Sequence, residues 1–239
     1  MRPSGKQRLR AARERSVDLA CAFAGLVLLS PFLAAIALLI LWSDGWPVLF
    51  SQIRVGLNGK LFSIWKFRTM RAGVPGRSIT ARGDGRVTRV GAFFRAFKLD
   101  EIPQLFNVLK GDMSLIGPRP EVPEYVQYDD PRWLAVLRVK PGITDLATLL
   151  HRNEEQILGA AADPHTFYRD NVLPAKLHLN LAYLRSRSLW RDLKLIVLTI
   201  RYSLFPEHFD ADQVMKAFGI GAGINDGEYL HSLSCPFDR

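Results

Sequence analysis

Residues 19–43, from Leu19 through Ser30-Pro31 to Ser43, carry no charged side chain. At 25 residues the run exceeds the roughly 20 that a helix needs to cross hydrocarbon. On both sides the pattern turns basic. Arg2, Lys6, Arg8, Arg10, Arg13 and Arg15 precede it, and Arg54, Lys60, Lys66, Arg68, Arg71 and Arg77 follow it. Basic flanks prefer the cytoplasmic side, so two of them favour a segment that dips into the membrane and returns. Pro31, near the centre, has no N–H and clashes with the carbonyl four residues back, which breaks the helix. The Ser30 hydroxyl is placed to serve the backbone groups so freed. A kinked spanning helix stays open on the residues alone. A cleaved signal peptide is disfavoured, because the apolar core is too long and no Ala-x-Ala-like site follows it.

Past Trp42 and Trp46, which bracket the end of the run as interfacial aromatics do, residues 47–70 alternate apolar and polar around Leu57-Asn58-Gly59 and predict a β-hairpin. Residues 71–89, rich in Gly and Arg, predict a loop. Residues 90–98 place Phe93, Phe94 and Phe97 beside Arg95 and Lys98, a short amphipathic segment suited to the headgroup region. Helices are predicted near 100–110, 123–138, 150–162 and 165–171, with a turn at Pro141-Gly142. From Leu173 to Leu204 the helical pattern is strong. Leu193, Ile196, Val197, Ile200 and Leu204 share one face, read first as packing on the domain core and second as a membrane-surface contact. The expected architecture is α+β: a mainly helical cytoplasmic domain with a small β-hairpin, anchored by an N-terminal re-entrant helix–break–helix. Its parts are an anchor over 1–46, a catalytic domain over 47–205 and a weakly patterned tail over 206–239.

Charge sharpens this picture. The net charge is +9 with a pI near 9.8, but residues 1–98 hold 17 Lys and Arg against 4 Asp and Glu, and the remainder is mildly acidic. A basic half beside an apolar run suits an anionic membrane face and phosphate-bearing ligands. No zinc finger, RRM or other nucleic-acid motif accompanies it, so nucleic acid is not an expected partner. The two cysteines, Cys21 and Cys235, make no disulfide framework or metal spacing, in keeping with a reducing compartment.

Three clusters carry candidate chemistry. In Arg95-Ala-Phe-Lys-Leu-Asp100-Glu101-Ile-Pro103-Gln104-Leu-Phe-Asn107, adjacent carboxylates stand where a helix is predicted to start, with Pro103 allowed in its first turn. Free N–H groups and the positive dipole end gather there and suit phosphate. One carboxylate can act as nucleophile or metal ligand and the other as acid/base partner, although an acidic pair that only caps a helix is the commoner arrangement. In Gly111-Asp112-Met-Ser-Leu-Ile-Gly117-Pro118-Arg119-Pro120-Glu121, two prolines stiffen the backbone around one Arg. That lowers the entropic cost of gripping a phosphate with a guanidinium, and a rigid turn with an exposed Arg is the plain alternative. His151-Arg152-Asn153-Glu154-Glu155 offers another phosphate-directed Arg, and a solvated helix start explains it equally well.

At these clusters the chain resembles the bacterial sugar transferase family, the small monotopic phosphoglycosyl transferases. The matching text is Lys66-Phe-Arg-Thr-Met70, the block from Lys98 to Glu121, Lys140-Pro-Gly-Ile-Thr144, Arg152-Asn153 and Ser188-Leu-Trp-Arg-Asp-Leu-Lys194. The likeness runs from about residue 13 to 205, and the 98–121 block is its most specific part. The resemblance implies a re-entrant anchor kinked at Ser30-Pro31, without the four-helix membrane domain that larger members carry. It implies a bacterial inner-membrane location with the catalytic domain on the cytoplasmic face. It further implies that Asp100 of an Asp100-Glu101 dyad attacks the β-phosphate of a UDP-sugar and UMP departs. A phosphosugar-enzyme forms, and polyprenyl phosphate then takes up the phosphosugar. Mg²⁺ is implied at Asp100, with or without Glu101, and Arg95, Arg119 and Arg152 match phosphate-binding positions. UDP-sugar, polyprenyl phosphate and membrane lipids are the implied partners, and a homo-oligomer is compatible with the sequence. Departures fall on neighbours of the site and not on the dyad: Lys98 where Ser is common, and His151 where Gly is common before the Arg-Asn pair; the stretch from Asp145 to His151 also differs from the commoner form. A non-catalytic adaptor on the same scaffold and a membrane-tethered nucleotide-sugar hydrolase are the competing classes.

Overall fold

In the computed structural model, residues 5–74 and 79–219 are described, the side chains of residues 5–10 excepted. Arg2, Arg77, Cys235 and the tail from residue 220 onward lie outside them. The chain is mostly helical, with two small two-stranded sheets and one long apolar helix at its N-terminal end. It divides into two units: Met1–Val74, Arg86–Val126 and Leu137–Ile143 form the first, and Pro75–Gly85, Gln127–Val136 and Thr144–Arg239 form the second.

The first unit is built around helix α1, Gly5–Asp44, with Pro31 inside it. The basic lead and the apolar run are therefore one helical segment. Pro31 deprives the Val27 carbonyl of its usual N–H donor, and the Ser30 hydroxyl donates to that same carbonyl at 2.8 Å. Both shoulders of α1 are fastened to the unit. At the N-terminal shoulder, Arg15 donates to the carbonyls of Val108 (2.6 Å) and Leu109 (2.9 Å), and Asp18 accepts from the Leu115 N–H. Ala22 then packs with Ile64, Val108 and Met113. At the other shoulder, Ile36 and Ile40 pack with Phe67 and Phe94. Arg68 donates to the carbonyls of Asp44, Gly45 and Trp46 just past the helix. Between the shoulders the apolar surface is bare, and Leu28 is 78% exposed.

Strands β1, Leu49–Val55, and β2, Leu61–Phe67, pair antiparallel with Leu49 opposite Phe67 and Val55 opposite Leu61. Asn58 sits at φ 56° between them, a left-handed position that asparagine tolerates. The outer edge of β2 is finished by a side chain. Asn107 accepts from the Trp65 N–H at 3.0 Å and donates to the Ser63 carbonyl at 2.7 Å, doing what a third strand would do. Helix α2, Arg89–Ala96, is capped by Thr88 accepting from the Gly91 N–H. Its Phe94 turns inward onto α1 while Phe93 stays exposed, so the aromatic trio read as one membrane-facing group divides between core and surface. Helix α3, Gln104–Lys110, follows, then strand β3, Ser114–Ile116.

In the second unit the helix predicted over 123–138 is shorter: a 3₁₀ turn at Pro123–Tyr125, still in the first unit, precedes α4 at Pro131–Val136. Strand β4, Gly142–Thr144, begins at the Pro141-Gly142 turn in the first unit and pairs there with β3. Helices α5, Leu146–Leu150, α6, Glu154–Ala160, and α7, Pro164–Phe167, lead through a π-helical turn into α8, Leu173–Arg185. The long helical stretch breaks at Ser186–Ser188, where Ser188 caps α9, Leu189–Leu204. The face of α9 read first as core-packing is instead exposed at Leu193, Val197, Ile200 and Leu204, and Trp190 is 74% exposed. Leu195 and Tyr202, on the opposite side, are the residues that enter the core. The expected weak tail also starts as structure. Helix α10, Ala211–Ala217, buries Val214, and Phe218 follows it into the core.

Candidate active site

Asp100 and Glu101 lie on a 3₁₀ turn, Leu99–Glu101, which continues through helical backbone at Ile102 and Pro103 into α3. The dyad is thus one turn ahead of the α-helix rather than at its first residue, because Pro103 cannot donate the bond that would run one α-helix through it. Lys98 adopts φ 57° and turns the chain sharply between α2 and the dyad turn. That corner sets the C-terminal end of α2, with Arg95, against the dyad.

The neighbouring carboxylates meet opposite surroundings. Glu101 is fully engaged by cations. Lys66 donates to its Oε1 at 2.9 Å, Arg119 donates from Nη1 to Oε2 at 3.1 Å, and Arg119 Nη2 grips Oε1 as well. Asp100 is only 6% exposed, and its Oδ1 has no hydrogen-bond partner among the described residues. Burial alone pushes both carboxyls upward. At Glu101 the charges of Arg119 and Lys66, with the Arg119 hydrogen bonds, overcome burial and hold the group well below the usual glutamate range. At Asp100 burial prevails over Lys66 and the Glu101 charge adds to it, so its pKa is raised. Burial lowers that of Lys66 itself, with Glu101 opposing.

Arg119 owes its position to a docked loop. Gly117 and Gly142 pass so closely that a Cβ on Gly142 would lie 2.0 Å from the Gly117 nitrogen. The Gly142 N–H donates to the Pro118 carbonyl at 3.1 Å. On the far side of Arg119, Arg54 donates to the Pro120 carbonyl and the Val55 N–H to that of Glu121. Arg95 reaches the Thr69 hydroxyl at 3.5 Å and acts on Asp100 through its charge. Asp100, Glu101, Arg95 and Arg119 therefore share one site in the first unit. Arg152 belongs to the second unit, where it donates to the Tyr202 carbonyl at 2.6 Å and lies 5.2 Å from the Phe209 ring centre. Ser30 and Pro31 sit in the bare middle of α1.

One residue of this site escaped the sequence reading as a site residue. Lys66 was a motif letter without a role. Its signal is a lysine on the same strand face as Phe62 and Ile64, an inward position of β2. Gln104, the first residue of α3, has no exposed surface, and neither atom of its amide is partnered among the described residues. No three His, Cys, Asp or Glu side chains among the described residues converge as a metal cage. Mg²⁺ asks for less, being held by one or two carboxylates with substrate phosphates and waters. The Asp100 carboxylate, which no cation clamps among the described residues, fits that requirement, whereas both oxygens of Glu101 are occupied by cations.

The profile of the bacterial sugar transferase family matches residues 9–206, a span that contains the dyad, Lys66, all three arginines and the apolar run. The chain belongs to that family. Among its relatives is the UDP-glucose:undecaprenyl-phosphate glucose-1-phosphate transferase of Caulobacter vibrioides, 38% identical over 193 residues, covering 79% of this chain and 68% of the relative. The undecaprenyl-phosphate glucose phosphotransferase of Komagataeibacter xylinus is 39% identical over 201 residues, covering 80% of this chain but 36% of that protein. The UDP-N-acetylgalactosamine-undecaprenyl-phosphate N-acetylgalactosaminephosphotransferase of Aeromonas hydrophila is 39% identical over 193 residues, 79% of this chain and 43% of its own length. The chain thus spans between about a third and two thirds of these relatives.

Proposed function

We propose that this family member transfers a sugar 1-phosphate from a UDP-sugar to undecaprenyl phosphate and releases UMP. The observation that carries the reading is the division of labour in the dyad. Glu101 is held ionised between Lys66 and Arg119, and Asp100 keeps a carboxylate oxygen without a partner. An oxygen of Asp100 attacks the β-phosphorus, the bond from phosphorus to the UMP oxygen breaks, and UMP leaves with that electron pair. A phosphate oxygen of the lipid then attacks the same phosphorus, forming the diphosphate link and freeing the Asp100 carboxylate. Two anionic phosphates must approach each other, so cations have to offset their repulsion before either bond forms. Arg95, Arg119 and Lys66 supply that charge, and Glu101 fixes the direction of two of them. Arg152 is assigned a phosphate contact by family likeness. Mg²⁺, when bound at Asp100, neutralises charge on the diphosphate.

The lipid acceptor requires a site level with the headgroups. We read α1 as re-entrant, with the folded units on the cytoplasmic face of the inner membrane. Both shoulders of α1 bond to the same unit, with the bare stretch between them, and this supports the re-entrant reading. The exposed apolar face of α9, with Trp190 at its start, suits a second membrane-surface contact.

The test is UMP release by the full chain in nanodiscs, with UDP-glucose, UDP-galactose and UDP-N-acetylgalactosamine, each with and without undecaprenyl phosphate. Lipid-dependent UMP and a phosphosugar adduct by intact-protein mass are expected, both lost in Asp100→Asn. Release of sugar phosphate without lipid would identify a hydrolase, and no UMP from any donor would identify an adaptor.

A further inference from the structure

We propose that Gln104 positions the nucleophile. Its side-chain N–H donates to Oδ1 of Asp100 when the site is loaded, which leaves Oδ2 turned toward the phosphorus. The inference rests on Asp100 being the attacking group, as proposed above.

It starts from unmatched hydrogen bonding. Gln104 opens α3 with none of its surface exposed, and among the described residues neither Nε2 nor Oε1 has a partner. Buried polar atoms are nearly always paired, and each one left alone lowers stability. A methionine would fill the same space without that cost, whereas the carboxamide can take up a partner when the site is loaded. Oδ1 of Asp100, four residues earlier, is orphaned in the same way. The backbone between them is helical, with Ile102 and Pro103 both in the right-handed region. Gln104 stands one turn beyond Asp100 on this 3₁₀-to-α path, and helical side chains lean back toward the N-terminus, which brings its carboxamide back toward the dyad turn.

Competing acceptors are already taken. Both oxygens of Glu101 are held by Lys66 and Arg119, so Asp100 is the carboxylate of the dyad left for the Gln104 donor. The two groups are not bonded to each other in the resting structure, and the contact is one that loading completes. Its effect is orientational. A carboxylate free to rotate offers either oxygen at any angle, whereas one pinned oxygen fixes the attack line of the other.

The experiment uses the full chain in nanodiscs with Gln104→Met, which keeps the shape and removes both polar atoms, and Gln104→Leu, which removes them with a branched side chain. Adduct formation is timed by intact-protein mass after mixing with UDP-glucose in the absence of lipid acceptor. Mn²⁺ affinity is read by EPR and thermal stability by differential scanning fluorimetry. Both variants should form the adduct about 100-fold more slowly, with KM for UDP-glucose and Mn²⁺ affinity within about threefold of the native protein. Gln104→Met should melt about 2–4 °C higher. An adduct rate within threefold of native in either variant would overturn the proposal. So would a Gln104→Met protein that loses stability along with rate, since that marks a structural glutamine. If the native protein itself formed no adduct with any UDP-sugar, the covalent reading would fail and take this placement with it, a result distinct from a fast variant beside an active native enzyme.

Discussion

Glu101 and Asp100 are adjacent in the chain, yet one is clamped by two cations and the other has a buried oxygen with no partner. Sequence placed both at the site but had no means of dividing their roles, because the division comes from Lys66 on β2 and Arg119 on a distant loop. His151 shows the same dependence on surroundings. It is buried with Nδ1 against the Ala147 carbonyl at 2.8 Å. Burial and the nearby Lys176 lower its pKa to about 4, while the Ala147 hydrogen bond and Glu154 oppose the shift. A folded-state pKa below the unfolded 6.5 means the unfolded chain binds the proton more tightly. The stability is therefore fully present above pH 6.5 and is lost as pH falls toward 4. The native protein should lose about 2 kcal/mol from this group between pH 7 and pH 5. Denaturant titrations at the two pH values should show a smaller loss in His151→Asn, and an equal loss would assign the pH dependence elsewhere.

At the scale of elements, local signals were strong where the chain talks to its near neighbours. Asn58-Gly59 marked the hairpin, and β1 and β2 meet around it. Pro118 and Pro120 marked a stiff loop. What holds that loop was not visible, since it depends on Gly142 lying against Gly117 from a turn more than twenty residues away. Gly142→Ala should push the two backbones apart, carry Arg119 off Glu101 and reduce kcat by at least about tenfold, while far-ultraviolet dichroism stays near native. A variant with native kcat would show that Arg119 does not need this support. The pattern of α9 was also read correctly as amphipathic but aimed the wrong way. Its periodicity is the same whether the apolar face meets a core or a lipid surface, so only the packing of Leu195 and Tyr202 on the opposite side decided it.

For the whole molecule the decisive question is how α1 meets the bilayer. Its length and apolar composition are compatible with membrane anchoring, and the Ser30 hydroxyl serves the carbonyl that Pro31 strands. Cysteine-accessibility labelling at residues 11 and 48, on either side of the apolar run, should mark both as cytoplasmic in intact cells. Labelling from opposite sides would establish a spanning helix and remove the geometry proposed for the lipid acceptor.

The order of residues alone determined the long apolar helix with Pro31 inside it, the hairpin, the family and the adjacent carboxylate pair, because each is a short-range pattern or a contiguous motif. Tertiary structure decided which carboxylate is neutralised, that Lys66 joins the site and that the Gln104 amide is buried without a partner among the described residues. It also decided that both shoulders of α1 return to one unit and that the broad face of α9 looks outward. Those outcomes depend on which distant side chains share a low-dielectric space, where burial and a neighbouring charge outweigh anything a residue's own identity dictates.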